Sequence, residues 1–567
     1  MVGSFESPPG RWVIMALTLA ILGWTLGLPA IAAEPGARFA EPSLATARSI
    51  LATARAEMDG NCRTPHDRLA EILCQKVLNV GLRASYPGFS QRGADGTFTG
   101  FEVDLARMIA DFLGVEMRPV RVTPKSRIPL VVRGQADLSI ATTGHDRIRD
   151  SQVRFIRPHY FASQTALVGP KSATIRGWDD LIDQTICMPL GASSNLMVSS
   201  ARVKVLIFET PRQLADALNF ERCRFIVHDD SFFWRYRENP EWASRFEIKF
   251  TFVPIRWGMF TAPDRSDRLA DILTLLSVAY HIDGTFLRLA EAHRLNQGFL
   301  DAERHHWLSP ICLGPQGFPS PACLSDPIDS LPDIRTRFAR YVDTLEAHLG
   351  TVRSDGMDLS ALKHQAMFER LMDGVAVSIA LVIGATTMTM VCAIGFATLL
   401  VSRRRWLRWP ALVLTQIGQT TPMPLLMFFG YVLAGGITNY TAPVAVGVSI
   451  LVLGAYNGCY ASRAIAEVRR TAGEEGQDWM RSMGNAIAVS WTQITAFVVN
   501  ATKGTPAADM IGVPEFVSVL SDLSAYAWDR TPLFVTLLVF YSGLVLAVIF
   551  LLSLAEKWIV RAWSVRP

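Results

Sequence analysis

The sequence predicts a two-lobed α/β domain followed by an all-α membrane domain of five helices. Two contrasts carry this reading. Up to about His364, charged and apolar residues are mixed, and short β-rich runs alternate with helical patterns; from Val375 onward, long stretches carry no charge at all. Cys62, Cys74, Cys187, Cys223, Cys312 and Cys323 all lie in the first part, as expected of a segment that folds in an oxidising compartment.

The chain opens on an export signal. Arg11 precedes an uncharged segment from Trp12 to Ala33, and Ala30-Ile31-Ala32 fits the small-x-small cleavage rule. Residues 1–33 therefore read as a signal peptide or, left uncleaved, as an anchor. Either role delivers the adjoining α/β half outside the cytoplasm. Residues 34–75 form an exported lead segment. The net charge of +4 is small for 567 residues and gives no argument for a nucleic-acid partner.

Residues 76–300 carry the α/β pattern. Val77–Val80 reads as a strand, Val103–Leu113 as a helix, Met117–Val122 as a strand, Arg127–Arg133 as a helix and Leu138–Ile140 as a strand. Such alternation implies a largely parallel sheet. It restarts at Thr185–Met188 and runs through Pro211–Leu218 to Phe225–Val227. Two such units make two lobes, and the cleft between them is a common place for a small polar ligand. Residues 301–370 read as a linker. The close pairs Cys62/Cys74 and Cys312/Cys323 would each close a short loop, although spacing leaves the connectivity of the six open. No metal site is expected, because no cysteine pair has short ligand spacing and no histidine pair accompanies one.

Residues 371–567 form the membrane half. A helix needs about 20 apolar residues to cross a bilayer with its backbone satisfied. Val375 to Ser402 meets that, and the uncharged stretch from Trp409 to Ser462 is long enough for two spans, broken at Gly435-Gly436 and Pro443. Asn485 to Thr502 and Pro532 to Ala555 complete five. Arg403, Arg404, Arg405 and Arg408 follow the first span; Arg463, Arg469, Arg470 and Arg481 follow the third; Lys557, Arg561 and Arg566 follow the last. All three groups then fall on one side, which the positive-inside rule makes cytoplasmic. Gln416, Gln419, Thr420, Thr421 and Pro422 interrupt an apolar helix with polar groups, which face either a neighbouring helix or a solute path.

Several motifs carry a resemblance. Leu78-Asn79-Val80-Gly81, Tyr86-Pro87-Gly88-Phe89, Gly100-Phe101-Glu102-Val103-Asp104-Leu105 and Gly134-Gln135-Ala136-Asp137-Leu138 occur in the order found in the amino-acid-binding (family 3) periplasmic receptors. The first half thus resembles the periplasmic-binding-protein fold. The resemblance implies a lobe-one arginine for the ligand α-carboxylate, which register from Asp137 and Phe155 places at Arg149, with Arg147 as the fallback. A guanidinium fork suits a planar carboxylate. Thr142 and Thr143 would add hydroxyl donors, and Gly191-Ala192-Ser193-Ser194 resembles the family's turn opening a helix, with Ser193 beside the carboxylate. The α-ammonium falls to Asp229 or Asp230, one a ligand group and the other a cap; Tyr86 matches a stacking aromatic. At Arg83, receptors for basic amino acids resemble one another in carrying aspartate, so arginine here implies an acidic or amide side chain.

Asp373 to Pro567 resembles the five-helix permeases of polar amino-acid ATP-binding-cassette importers, through Thr421-Pro422, Ala455-Tyr456-Asn457 and Ile511-Gly512-Val513-Pro514-Glu515-Phe516. The family's cytoplasmic loop, which grips a separate ATPase chain, aligns with Asp478-Trp479-Met480 and Gly484. Trp479 and Met480 replace small residues there, and about a dozen family positions after Gly484 are missing. The resemblance implies an importer component in a bacterial inner membrane. Its partners would be an amino acid, membrane lipid, an ATPase subunit and a second permease subunit. The shortened loop keeps open the alternative of a receptor or regulator that no longer couples. No Gly-x-x-x-x-Gly-Lys-Ser/Thr loop and no Gly-x-Ser-x-Gly elbow occurs, so neither nucleotide hydrolysis nor other enzymatic chemistry is expected, and no cofactor.

Overall fold

The computed structural model describes residues 35–58, 62, 65–182, 184–198, 203–208, 211–220, 223–324, 334–352, 358–437, 441–471 and 479–563. The proposed signal or anchor 1–33 and Asp478 lie outside the described residues.

Lobe one is built on a five-stranded sheet in the order Glu116–Val122, Val77–Arg83, Leu138–Ser139, Phe260–Thr261, Arg154–Phe155. The first three strands are parallel and are joined by the helices Phe101–Leu113 and Arg127–Val132, as parallel neighbours require. Phe101, Val103, Leu105, Ala106, Ile109, Ala110 and Leu113 form the buried stripe of the first helix, and Gly114 ends it in a left-handed cap at φ 68°. The lead segment holds the helices Pro35–Met58 and Arg68–Gln75, the first of which buries Ala40, Ala47, Leu51 and Ala54 in packing on the helix Asp267–Ile282.

Lobe two holds a second five-stranded sheet in the order Lys204–Phe208, Thr185–Pro189, Phe225–Asp229, Phe161–Pro170, Phe246–Trp257. Here the structure departs from a largely parallel sheet. The two longest strands, Phe161–Pro170 and Phe246–Trp257, pair antiparallel and lie outside the predicted alternation. Phe246–Trp257 is an edge strand with irregular burial, so it shows neither an unbroken apolar run nor strict alternation. The chain crosses between lobes at 156–160 and 258–259. Cys62–Cys74 and Cys312–Cys323 pair as their spacing suggested, and Cys187–Cys223 ties two neighbouring strand regions of lobe two.

The C-terminal half is all-α. Among the described residues, three helices are long and apolar enough to cross a membrane: Gln365–Val401, Ala442–Thr471 and Thr531–Trp563. The other predicted spans are broken helices. Trp409 to Ser462 folds as Arg405–Thr420, the shorter apolar Met423–Ile437 and then Ala442–Thr471. The first break falls at Thr421-Pro422, where proline disfavours helix in the residue before it. The predicted fourth span divides at Ser490 into Trp479–Val489 and Trp491–Gly504.

All three long helices begin at the end nearest the two-lobed domain. Ala442 N donates to Thr185 Oγ1 of lobe two, and Arg370 and the segment leading into Thr531–Trp563 also meet that domain's surroundings. Their far ends converge, with Arg470 Nη2 donating to Leu400 O over 2.8 Å. The arginine clusters that follow the helices therefore gather at the end remote from the lobes.

Candidate functional site

The cleft is assembled from strand ends and the turns that follow them. It is lined by Arg83, Arg127, Thr142 and Gly144 from lobe one, Gly191–Ser193, His228 and Asp229 from lobe two, and Trp257 beside the crossover. The cavity left between them is about 30 Å³, on the order of one water molecule.

Arg83 ends the strand Val77–Arg83, which carries its guanidinium into the cleft. Its Nη1 donates to Thr142 Oγ1 over 2.9 Å, and the guanidinium lies 4.8 Å from the centroid of the Tyr86 ring, a cation–π geometry. Tyr86 is fully buried among Phe89, His228, Phe232 and Trp257, so its ring packs in the core behind the cleft. Its hydroxyl donates across the cleft to Asp229 Oδ2 over 3.1 Å. Burial, with the Asp229 charge adding to it, holds that phenol neutral well above its ordinary range.

Thr142 is held in the left-handed region at φ 43°, a conformation that β-branched residues rarely adopt. Three buried groups hold it there. Its amide donates to Glu102 Oε1 over 2.5 Å and lies 3.0 Å from the Tyr160 hydroxyl, and its carbonyl accepts from Arg127 Nη1 over 3.1 Å. Burial pushes the Glu102 carboxyl up to about 7. Thr143 is buried, and its hydroxyl is turned to Ala141 O at 3.3 Å.

Arg149 is fully buried at the interface between lobes. Its Nη1 donates to Gly144 O over 3.1 Å and to the Ser193 hydroxyl; its Nη2 donates to Gly191 O over 3.1 Å. Asp146 lies 3.1 Å away as its counter-charge. Its Nε has no hydrogen-bond partner among the described residues. Arg147, the fallback, is exposed. The structure thus brings Ser193, Asp229, Arg83 and Thr142 to one cleft, buries Arg149 and Tyr86 directly behind its lining, and leaves Arg147 exposed. Asp229 and Asp230 divide their work: Asp230 accepts from the Ser163 hydroxyl at 2.6 Å and the Gln164 amide at 3.1 Å, facing away from the cleft that Asp229 lines.

Arg127 is a charged cleft residue that the sequence alone did not single out. It is buried, its Nη1 is spent on the carbonyls of Ala141 and Thr142, and its Nε is without a partner among the described residues. Burial, then the nearby guanidiniums of Arg149 and Arg83, push its pKa well down. The signal was its place at the opening of a helix directly after a parallel strand, where sheet-edge ligand sites form. Elsewhere, His306, Cys312 and Cys323 lie close enough to hold a metal ion, but the two sulfurs are joined to each other and offer no thiolate.

In the helical half, Trp479 and Met480 are exposed at the start of the helix Trp479–Val489, while Gly484 is buried. A Cβ at Gly484 would run into the Trp563 indole, so this glycine admits the last helix.

Residues 78–293 match the profile of the bacterial extracellular solute-binding proteins, family 3. The chain is 27% identical over 180 residues to YhdW of Escherichia coli (strain K12), which is 29% of this chain and 52% of that one. It is 27% identical over 220 residues to ABC transporter arginine-binding protein 1 of Escherichia coli (strain K12), covering 38% of this chain and 89% of that one. Against the ABC transporter glutamine-binding protein GlnH of Bacillus subtilis (strain 168) it is 28% identical over 159 residues, 27% of this chain and 58% of that one. The chain spans about half the length of the first curated relatives it matches. Among solved structures, the P235GK mutant of ArgBP from T. maritima aligns at 26% identity and TM-score 0.36, over 40% of this chain and 99% of that one. The first half therefore holds a family 3 solute-binding domain related to amino-acid-binding proteins of ATP-binding-cassette transporters, followed by a helical region with three apolar helices of spanning length.

Proposed function

We propose that this chain is the amino-acid-binding and permease component of an ATP-binding-cassette importer in a bacterial inner membrane, driven by an ATPase on a separate chain. The observation that supports this is Asp229 at the cleft from one lobe, with Arg149 of the other lobe buried directly behind the Gly144 and Gly191–Ser193 lining. A guanidinium and a carboxylate across a hinge match the two charges of an amino-acid zwitterion. Arg149 would take the α-carboxylate together with the Gly191–Ser193 turn, and Asp229 the α-ammonium. Thr142 and Thr143 would support the carboxylate side.

Arg83 and Arg127 add positive charge at the same cleft, which disfavours a cationic side chain and favours an acidic or amide one. The arginine clusters at the end remote from the lobes support a topology with the solute-binding domain outside and those clusters in the cytoplasm. In that topology the three long helices and the broken helices Met423–Ile437 and Trp491–Gly504 would make up five crossings. The ATPase would dock on the basic side through Asp478 and the exposed Trp479 and Met480, which supply the apolar anchors a groove-binding helix needs. A second permease subunit would complete the solute path.

Calorimetry on the purified full chain tests the reading. L-glutamate or L-glutamine should bind, L-lysine should not compete, and Arg149→Ala should weaken binding roughly 10- to 100-fold, the worth of charge-assisted hydrogen bonds. Asp229→Asn, which keeps the side-chain shape, should also weaken it. Unchanged affinity in both variants removes the site assignment.

A further inference from the structure

The segment 522–528, from the last turn of the helix Phe516–Leu523 towards Thr531–Trp563, reaches from the helical half to both lobes beside the cleft. Asp522 Oδ1 accepts from Gly191 N over 2.5 Å and from Asn195 Nδ2 over 3.1 Å, both in lobe two. Its other oxygen lies 2.7 Å from Arg370 Nη1, close enough for an ion pair although too bent for an N–H···O bond. Asp522 is fully buried and Arg370 nearly so.

Four residues on, the Tyr526 ring lies 4.5 Å from the Arg149 guanidinium. Its hydroxyl donates to Ala192 O of lobe two over 2.6 Å, and its carbonyl accepts from Gln152 Nε2 of lobe one. Gly191, at φ 70°, is approached so closely that a Cβ there would stand 2.7 Å from the Ala525 Cβ. Trp528 continues the contact onto the lobe-one core around Ile128 and Val131. One short stretch therefore grips both halves of the clamshell.

We propose that segment 522–528 is a tethered occupant of the cleft, which an amino-acid ligand and this segment bind in competition. The inference rests on the reading of Arg149 and the Gly191 turn as the ligand-carboxylate groups. A carboxylate of the chain itself holds the Gly191 amide, and an aromatic face covers the Arg149 cation, an arrangement that stabilises a cation without consuming a carboxylate. A free amino acid reaches Arg149 only when Tyr526 leaves. The apparent Kd of the full chain is then its intrinsic Kd divided by the undocked fraction. Because occupancy and docking exclude each other, re-docking of the segment would also expel the ligand at the membrane face.

The test uses the full chain in lipid nanodiscs, with L-glutamate and L-glutamine as probes. Tyr526→Ala and, separately, Asp522→Asn should tighten the apparent Kd tenfold or more, and saturating L-glutamate should speed hydrogen exchange across 522–528 in the unaltered chain. The exchange measurement needs no variant to fold. Equal or weaker affinity in both variants, or exchange across 522–528 that stays slow with the probe bound, overturns the competition and leaves the binding reading standing. Binding of the probes to the variants but not to the unaltered chain supports it in full. Binding to none of these proteins overturns the amino-acid reading, and this inference with it.

Discussion

Glu102 shows how the cleft is held from behind. Its carboxyl sits beneath Thr142, accepting from the backbone amide and the Tyr160 hydroxyl, and burial raises its pKa from 4.5 to about 7. The folded state therefore binds this proton more tightly than the unfolded chain does. The stability it contributes is fully present below pH 4.5 and is lost as pH rises through about 7. The loss is on the order of 3 kcal/mol at most, from the size of the shift. Glu102→Gln keeps an acceptor for the Thr142 amide and cannot ionise, so thermal unfolding from pH 4.5 to 7.5 should fall for the unaltered chain and stay flat for the variant. Parallel curves would remove Glu102 from that role. Its motif, Gly100-Phe101-Glu102-Val103-Asp104-Leu105, was legible in the sequence; its burial against Thr142 was not, because a contact 40 residues apart leaves no local pattern.

Two of the long helices make the tightest element contact. Gly454 and Gly458, one turn apart on Ala442–Thr471, let that helix approach Gln365–Val401 until a Cβ at Gly458 would clash with Cys392 Cβ and stand 3.1 Å from Ala393 N. Facing them, Ala385, Thr389, Ala393 and Ala397 recur every four residues and are fully buried. Small residues drive association where lipid offers no hydrophobic gain. Gly458→Val has backbone in its way and should destabilise the pair by about 1–3 kcal/mol, as overpacking does. A drop in the melting temperature of the detergent-solubilised chain, with Gly447→Val as a control facing open space, would show it. Equal melting temperatures for the two variants would contradict the close packing. At this scale the sequence located most elements of the first half but missed the long antiparallel strands of lobe two. It marked the interruption at Thr421-Pro422 but read Asn485 to Thr502 straight through the break at Ser490. Hydrophobicity alone cannot mark a break inside a stretch that stays apolar throughout.

For the whole molecule, the decisive question is which end of the helical bundle faces the cytoplasm. Ser402 follows the first long helix, beside Arg403, Arg404 and Arg405. In a chain whose unpaired Cys392 and Cys459 are replaced by serine, Ser402→Cys should react with a membrane-impermeant maleimide only after the inner membrane is opened. Labelling in intact spheroplasts would invert the topology and separate the cleft from the import direction proposed for it. The disulfides fit the same orientation, since all three precede the helical half.

The sequence by itself determined what depends on local pattern: a charged half and an uncharged half, alternating strands and helices, and the basic side of the bundle; register within ordered motifs narrowed the site candidates to Arg149 or Arg147 and Asp229 or Asp230. Only the tertiary structure decided which distant groups meet. It brought Arg127 into the cleft, assigned Asp229 inward and Asp230 outward, and set Asp522 against Gly191 across 331 residues of chain. Periodicity and charge act over a few neighbouring residues and leave their trace in the order of the chain. A contact between a loop of the helical half and a turn of lobe two depends on how two separately folded surfaces pack, and no short stretch of sequence records that.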